Sequence, residues 1–240
     1  LDAVLYYETY TRGNKHGFHR GEFSWILEDN HPMRNAMENW GARIYKPAVL
    51  LVAFSAGAVA VLALVFFVPA ILSRAWAFRA CHAYCRFVRW AARWMVGLDT
   101  EVRGTPPSGE VMIAAKHQSF LDIILIFGAV PRGKFIMKRE LMYTPFIGQY
   151  ALRIGCVPVD RGKRGEAIRK MLADVARDRD MAGQLIIYPQ GTRVAPGAYL
   201  PYKSGTGALY DQLGQPCVPA ATNVGLFWPR KGIWRKPGVA

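Results

Sequence analysis

Apolar positions first concentrate in one long segment. No charged side chain occurs between Pro47 and Ser73. About 20 apolar residues span a bilayer, so this pattern predicts a transmembrane helix over residues 46–74. Basic residues are more numerous after the segment than before it, which indicates that the downstream side is cytoplasmic. The residues that follow it are Arg74, Arg79, Arg86, Arg89 and Arg93, and those that precede it are Arg34, Arg43 and Lys46.

A second pattern, over residues 75–98, predicts an amphipathic helix. At about 100° per residue, five polar positions share one arc of roughly 80° and apolar side chains occupy the opposite arc. Trp90 and Trp94 flank the basic arc. Such a helix can lie in the lipid headgroup layer, and the alternative is a surface helix packed on a soluble domain. The five polar positions are Arg79, His82, Arg86, Arg89 and Arg93.

Residues 99–240 alternate short apolar runs with helical patterns, which predicts an α/β domain with a mixed sheet flanked by helices. The amphipathic stripe of Ile168, Met171, Leu172 and Val175 predicts a helix within residues 163–179. The chain ends without a recognisable strand or helix, which indicates a domain cut short at its C-terminus. Residues 1–45 form a polar N-terminal extension without a motif. The predicted strands are 111–115, 134–138, 155–159, 184–189 and 217–221.

Composition narrows the class of partner. The formal net charge is +14, which implies an anionic partner. Nucleic-acid binding would explain the charge but not the apolar segment, so we expect no nucleic acid. The four cysteines are too few and too scattered for a disulfide framework, which favours a reducing compartment. Cys81, His82 and Cys85 lack a second ligand pair at zinc spacing, so no metal site is predicted.

The segment KHQSFLD, residues 116–122, holds a candidate base. His117 and Asp122 would point about 140° apart on one helix, so they meet only if the histidine precedes the helix. Ser119 is a suitable N-cap and Asp122 then occupies the third helical position, as in a capping box. His117 would end a strand, at the edge where open α/β sheets bind ligands. The pair suits a general base, and the alternative is an aspartate that merely caps a helix.

The segment YPQGTR, residues 188–193, is a candidate phosphate site. It runs from a strand into a tight turn with Gly191, Thr192 and Arg193. Backbone N–H groups exposed by glycine, together with a guanidinium, suit a phosphate, and Lys203 follows on another glycine-flanked turn. The alternative is an ordinary β-turn with solvated charges.

Four ordered segments, KHQSFLD, GCVPVDR, YPQGTR and CVPA, resemble the motifs of the glycerolipid acyltransferase family, in particular the 1-acyl-glycerol-3-phosphate acyltransferases. The resemblance covers about residues 98–223. It implies transfer of an acyl chain from acyl-CoA or acyl carrier protein to the sn-2 hydroxyl of lysophosphatidic acid, without a cofactor, a metal or a covalent acyl-enzyme. It also implies membrane lipids as partners and a catalytic domain on the cytoplasmic side of a bacterial inner membrane.

The resemblance assigns roles to individual residues. It implies that His117 deprotonates the acceptor hydroxyl while Asp122 orients the imidazole. Two positions depart from the family pattern, since Gln190 replaces the usual glutamate and Lys116 replaces the usual asparagine. The amide of Gln190 keeps the shape of glutamate but loses its charge. The residues implied to hold the acceptor phosphate are Arg161, Gly191, Thr192 and Arg193, with Lys138 and Lys203 as weaker candidates.

Other functions remain open at this point. The acceptor could be another lysolipid, such as a lyso-aminolipid, and a non-enzymatic membrane scaffold with a degenerate site is the main rival of another class. A lipid hydrolase is disfavoured because no G-x-S-x-G nucleophile motif occurs. A P-loop is disfavoured because GAVPRGKF ends in Phe135, where serine or threonine would bind magnesium.

Overall fold

The computed structural model describes residues 46–160, 169, 171–175, 183–230 and 235–240. The predicted N-terminal extension over residues 1–45 and the candidate Arg161 lie outside the described residues. Of the helix predicted within residues 163–179, residues 171–175 are described and are helical, with Met171 and Val175 buried.

The long apolar segment folds as two helices, α1 (Lys46–Val65) and α2 (Phe67–Leu72). Pro69 explains the break, because it has no N–H for the carbonyl of Val65 and its ring crowds that carbonyl. Within the part of the chain that the structure describes, no helix is both long and apolar enough to cross a membrane. The prediction of one transmembrane helix over residues 46–74 is therefore corrected to two shorter helices.

The amphipathic helix exists as α3 (Arg74–Val96). Its small and apolar side chains, among them Ala77, Val88 and Ala91, are buried in the main core. The opposite side exposes Trp90 and Trp94, which are 57% and 73% accessible. One face thus packs on the domain, which corresponds to the alternative of a surface helix, while the tryptophan side stays free. The helix ends at Gly97, whose φ of 65° provides a left-handed C-cap.

The short strand β1 (Leu98–Asp99) follows α3, and the main sheet begins with β2 (Val111–Ala115). The strands that follow in this sheet are β3 (Gly133–Lys138), β4 (Val157–Val159), β5 (Gln184–Ile187) and β6 (Cys217–Ala220). The strands of the main sheet lie in the order β4-β3-β5-β2-β6, and every pairing is parallel. The prediction of a mixed sheet is wrong. Helical residues lie between each strand of this sheet and the next one along the chain, and these crossovers return the chain to the edge at which the strands begin.

The crossover helices position the ends of these strands. Helix α4 (Leu121–Ala129) joins β2 to β3, and α5 (Ile147–Arg153) lies between β3 and β4. Residues 171–175 lie between β4 and β5, and α6 (Ser204–Leu213) joins β5 to β6. Because all five strands are parallel, their carboxyl ends share one edge of the sheet, and ligands of such sheets bind at that edge.

A second, two-stranded sheet closes the described fold. Strand β7 (Gly238–Val239) pairs in parallel with β1. The expectation that the chain lacks a closing strand is therefore wrong. The strand was not predicted because two residues are too few to show the alternation of apolar and polar side chains that marks a strand.

The four cysteines are free thiols in different surroundings. Cys85 and Cys156 are buried, and burial raises the pKa of each thiol to about 12. Burial also raises the pKa of Cys81, whereas Cys217 is exposed on β6.

These surroundings predict the order of alkylation. At pH 8, iodoacetamide should modify Cys217 at least tenfold faster than Cys85 and Cys156, because the thiolate is the reactive form and burial disfavours it. Peptide mass spectrometry of timed samples measures the order, and all four thiols should react in denaturant. Early labelling of Cys156 in the folded protein would contradict this packing.

Candidate active site

His117 and Asp122 meet at the carboxyl edge of the sheet. The imidazole Nδ1 lies 2.9 Å from Oδ1 and 3.1 Å from Oδ2 of Asp122. The carboxylate can only accept, so Nδ1 carries a hydrogen, and in the neutral imidazole Nε2 has the lone pair. The His117 side chain is 13% exposed and Asp122 is fully buried. This arrangement suits a general base whose tautomer is fixed by a carboxylate.

The local sequence creates this geometry through the start of α4. Oδ2 of Asp122 accepts the backbone N–H groups of Gln118 and Ser119 at 2.6 and 2.8 Å. The hydroxyl of Ser119 accepts the N–H of Leu121 at 3.0 Å. The helix starts one residue later than predicted, with Phe120 rather than Ser119 as its N-cap and Asp122 as its second residue. The hydrogen bonds of Ser119 and Asp122 still hold the turn between the strand and the helix. That turn brings the histidine back over the aspartate.

Tyr188 completes the immediate surroundings of the pair. Its ring stacks on His117 with the centroids 4.0 Å apart and the planes 18° apart. Its hydroxyl donates to Oδ1 of Asp122 at 3.2 Å. Burial, followed by the charge of Asp122 and the hydrogen bond to it, raises the pKa of Tyr188 well above its ordinary value, so the phenol stays protonated.

The glycine-containing turn packs beside the histidine. The N–H of Val194 donates to the carbonyl of His117 at 2.8 Å, which ties the turn to the end of β2. Gly191 has a φ of 67°, a conformation that favours glycine, and the aliphatic part of Lys203 lies against it. The N–H of Lys203 donates to the carbonyl of Pro189 at 2.8 Å. Gly191, Thr192, Arg193 and Lys203 are thus brought together next to His117.

Gln190 is buried beneath this turn. Its Nε2 donates to the carbonyl of Leu200 at 3.3 Å, while its Oε1 is buried without a donor among the described residues. The acceptor oxygen that the amide shares with glutamate is therefore unused by the described part of the protein.

The other basic side chains near the site differ in whether they already bind a protein group. Arg193 is exposed, and its carbonyl accepts from Arg230 at 3.1 Å. Lys138 ends β3 on the same edge, but its ammonium binds Glu140 at 2.8 Å and lowers the pKa of that carboxyl. Lys116, in place of the asparagine, donates to the carbonyl of Ala198 at 3.2 Å. Lys138 is therefore less free to hold a ligand than Arg193.

An apolar cavity of about 210 Å³ lies behind the start of α4. Side chains from α1, α3, α4, α5 and β3 line it. Two of the lining residues lead towards His117: Phe120 follows it by three residues in the chain, and Phe135 contacts its neighbour Tyr188. The ring of Phe135 stacks on Tyr188 with the centroids 6.1 Å apart. The cavity and the candidate base therefore share one aromatic wall.

Phe146, which also lines the cavity, sits in a strained turn. Its φ is 63° and its ψ is −52°, and the N–H of Ile147 donates to the carbonyl of Pro145 at 2.7 Å. This is a γ-turn of the rare, strained type. Backbone strain of this kind concentrates at ligand sites.

A second cavity, of about 340 Å³, lies at the opposite edge of the sheet. Glu110, Lys134 and Gln215 are among its lining residues, and it contains none of the residues that the motifs identify. It is remote from the candidate base.

Sequence reasoning missed Tyr188 as a neighbour of the pair, together with Gln118 and the cavity. The buried Oε1 of Gln118 accepts the N–H of Gly225 at 3.0 Å and so fixes the loop after β6. In the sequence, Tyr188 lies near the end of the predicted strand 184–189 and begins the segment YPQGTR, and nothing in these patterns indicates which face of the sheet it occupies.

Comparisons with known proteins fit this geometry. A family model described as Acyltransferase matches residues 99–223. The 1-acyl-sn-glycerol-3-phosphate acyltransferase of Pseudomonas aeruginosa is 30% identical over 181 residues, which cover 72% of this chain and 69% of that protein. The human 1-acyl-sn-glycerol-3-phosphate acyltransferase alpha is 33% identical over 133 residues, or 53% of this chain and 46% of the human protein. The chain thus spans about half the length of the human relative.

A solved structure has the same fold. The crystal structure of the 1-acyl-sn-glycerophosphate (LPA) acyltransferase PlsC from Thermotoga maritima superposes with a TM-score of 0.61 at 20% identity. The match covers 80% of this chain and 82% of that one.

Proposed function

The chain belongs to the acyltransferase family, and on that premise we propose that it transfers an acyl chain from a thioester to the sn-2 hydroxyl of 1-acyl-glycerol-3-phosphate. The observation that carries the proposal is the contact of 2.9 Å between His117 and the buried Asp122, beside both a cationic turn and an apolar cavity. The product is phosphatidic acid, and the other product is the free thiol of the donor.

The reaction proceeds by direct transfer. Nε2 of His117 takes the proton of the acceptor hydroxyl while its oxygen attacks the thioester carbonyl carbon. The tetrahedral species then breaks its C–S bond, and the imidazolium returns the proton to the leaving thiolate. Asp122 keeps the imidazole in the required tautomer and stabilises its charged form. General base catalysis of this kind contributes about 10² to 10⁴ in rate.

The acceptor phosphate is held by the glycine-containing turn. Backbone groups near Gly191, the hydroxyl of Thr192 and the guanidinium of Arg193 are the donors that an anion requires, and Lys203 adds a charge. Arg161 follows β4 in the sequence but lies outside the described residues, and we assign it to this group on the family motif alone. Gln190 supports the turn and offers its free oxygen to a hydroxyl of the acceptor.

The apolar cavity takes the acyl chain of the donor. Phe120, two residues before Asp122, is among its lining residues, so a chain inside it can leave its thioester carbonyl near the base. Burial contributes about 0.8 kcal/mol for each CH₂ group, so several methylenes would anchor the donor. Either acyl-CoA or acyl carrier protein fits this assignment, and the reaction needs no further cofactor.

We place the site at a membrane surface because the acceptor is a bilayer lipid with its phosphate in the headgroup layer. Exposed apolar side chains of α1 and α2, such as Leu64 and Leu72, and the exposed tryptophans of α3 support this placement. The arginines of α3 suit anionic headgroups. Because both donors are cytoplasmic, we propose that the domain acts on that side of a bacterial inner membrane.

Loss of the base should abolish transfer. His117→Ala should reduce acyl transfer from a radiolabelled thioester to lysophosphatidic acid by about 10² to 10⁴-fold, because no other group near the acceptor removes its proton. The matched control is His82→Ala, since the His82 imidazole contacts the carbonyl of Pro131 instead. Its rate should stay within about threefold of the parent protein. Full turnover in folded His117→Ala would refute the base assignment.

Loss of the guanidinium should affect one substrate selectively. Arg193→Ala should raise KM for lysophosphatidic acid by about tenfold and leave KM for the thioester unchanged, because a charge-assisted hydrogen bond to phosphate is lost. Steady-state kinetics with each substrate varied in turn measures the difference. Arg103→Ala is the matched control, because Arg103 is exposed and binds Glu101 before β2. A larger change for the thioester would contradict the assignment.

A further inference from the structure

Tyr188 lies between the base and the wall of the apolar cavity. One face of its ring stacks on His117, and Phe135 stacks at 6.1 Å with an interplanar angle of 12°. Phe135 in turn stacks on Phe127 at 6.0 Å, and both phenylalanines line the cavity. The plane of the imidazole is thus set by a row of rings that starts in the core.

The Tyr188 hydroxyl shares an acceptor with the imidazole. It donates to Oδ1 of Asp122 at 3.2 Å, and Nδ1 of His117 lies 2.9 Å from the same oxygen. The other oxygen, Oδ2, accepts the two backbone N–H groups at the start of α4. The phenol and the imidazole therefore compete for the charge of one carboxylate oxygen.

On the premise of the His117 base proposed above, we propose that Tyr188 is a positioning residue that tunes this base. Its ring fixes the plane of the imidazole, and its hydroxyl limits the negative charge that Asp122 presents to Nδ1. Tyr188 thereby sets the lower end of the pH range in which His117 is neutral and able to accept a proton.

The direction of the effect follows from the two contacts. Removing the hydroxyl leaves more charge on Oδ1 for the imidazolium, which favours protonation and moves the acid limb of the rate profile to higher pH. Removing the ring also removes an aromatic face that attracts the cation, which moves the limb back down. Other charges near His117 are the same in both variants. Among the described residues of the flanking segments, they are Lys116 and Arg230, which donate to backbone carbonyls, and Arg193, which is exposed.

The test separates hydroxyl from ring in the full chain. Tyr188→Phe should move the midpoint of the acid limb of kcat/KM upward by about half a pH unit, with the plateau rate within about threefold. Tyr188→Leu should have a midpoint below that of Tyr188→Phe. Tyr210→Phe is the matched control, because Tyr210 is exposed on α6, and its profile should match the parent protein. A purely structural role would lower the rate at all pH values without moving the limb.

A second readout is independent of turnover. Titration of the ¹³C-labelled histidine rings by NMR follows His117 directly. The protein has five histidines, and the signal of His117 is assigned as the one that disappears in His117→Ala. Its midpoint should move upward in Tyr188→Phe. An unchanged midpoint in both readouts overturns the role of Tyr188, even if transfer persists. A shifted NMR midpoint in a protein that transfers no acyl group supports the role of Tyr188 and contradicts the proposed function.

Discussion

The buried carboxylate of Asp122 is the constraint on which the site depends. A fully buried carboxylate is costly unless donors surround it, and Asp122 has four. Two are the backbone N–H groups of Gln118 and Ser119, and two are the side chains of His117 and Tyr188. The same group therefore starts α4, orients the imidazole and joins β2 to the end of β5. None of these three features can change without leaving a buried charge or a buried N–H unsatisfied.

The same edge of the sheet offers two unlike environments on either side of the pair of His117 and Asp122. The cavity behind α4 is apolar, whereas the turn at residues 190–193 is rich in donors and carries Arg193. His117 lies between them, since Tyr188 connects it to the cavity wall and Val194 connects it to the turn. The proposed transfer from a fatty thioester to a phosphate-bearing alcohol would use these environments in this order.

The sequence predicts the parts of this arrangement that local patterns encode. The five main strands follow from apolar runs, and the contact between His117 and Asp122 follows from a histidine that precedes a helix whose first turn holds the aspartate. Strand direction was mispredicted because apolar runs do not state it. The break at Phe66 was missed because uniform apolar character hides the effect of Pro69. The role of Tyr188 could not be predicted, since its partner Asp122 lies 66 residues away in the chain.

Replacing the carboxylate by an amide tests the central claim most directly. In Asp122→Asn, the amide oxygen can still accept at the start of α4, but its NH₂ group would face Nδ1 and force the hydrogen onto Nε2. Turnover at saturating concentrations of both substrates should fall by about 10³ to 10⁴-fold. Urea unfolding of the same variant should show a free energy of unfolding lower by only about 1–2 kcal/mol. Near-parental turnover in the folded variant would contradict the account.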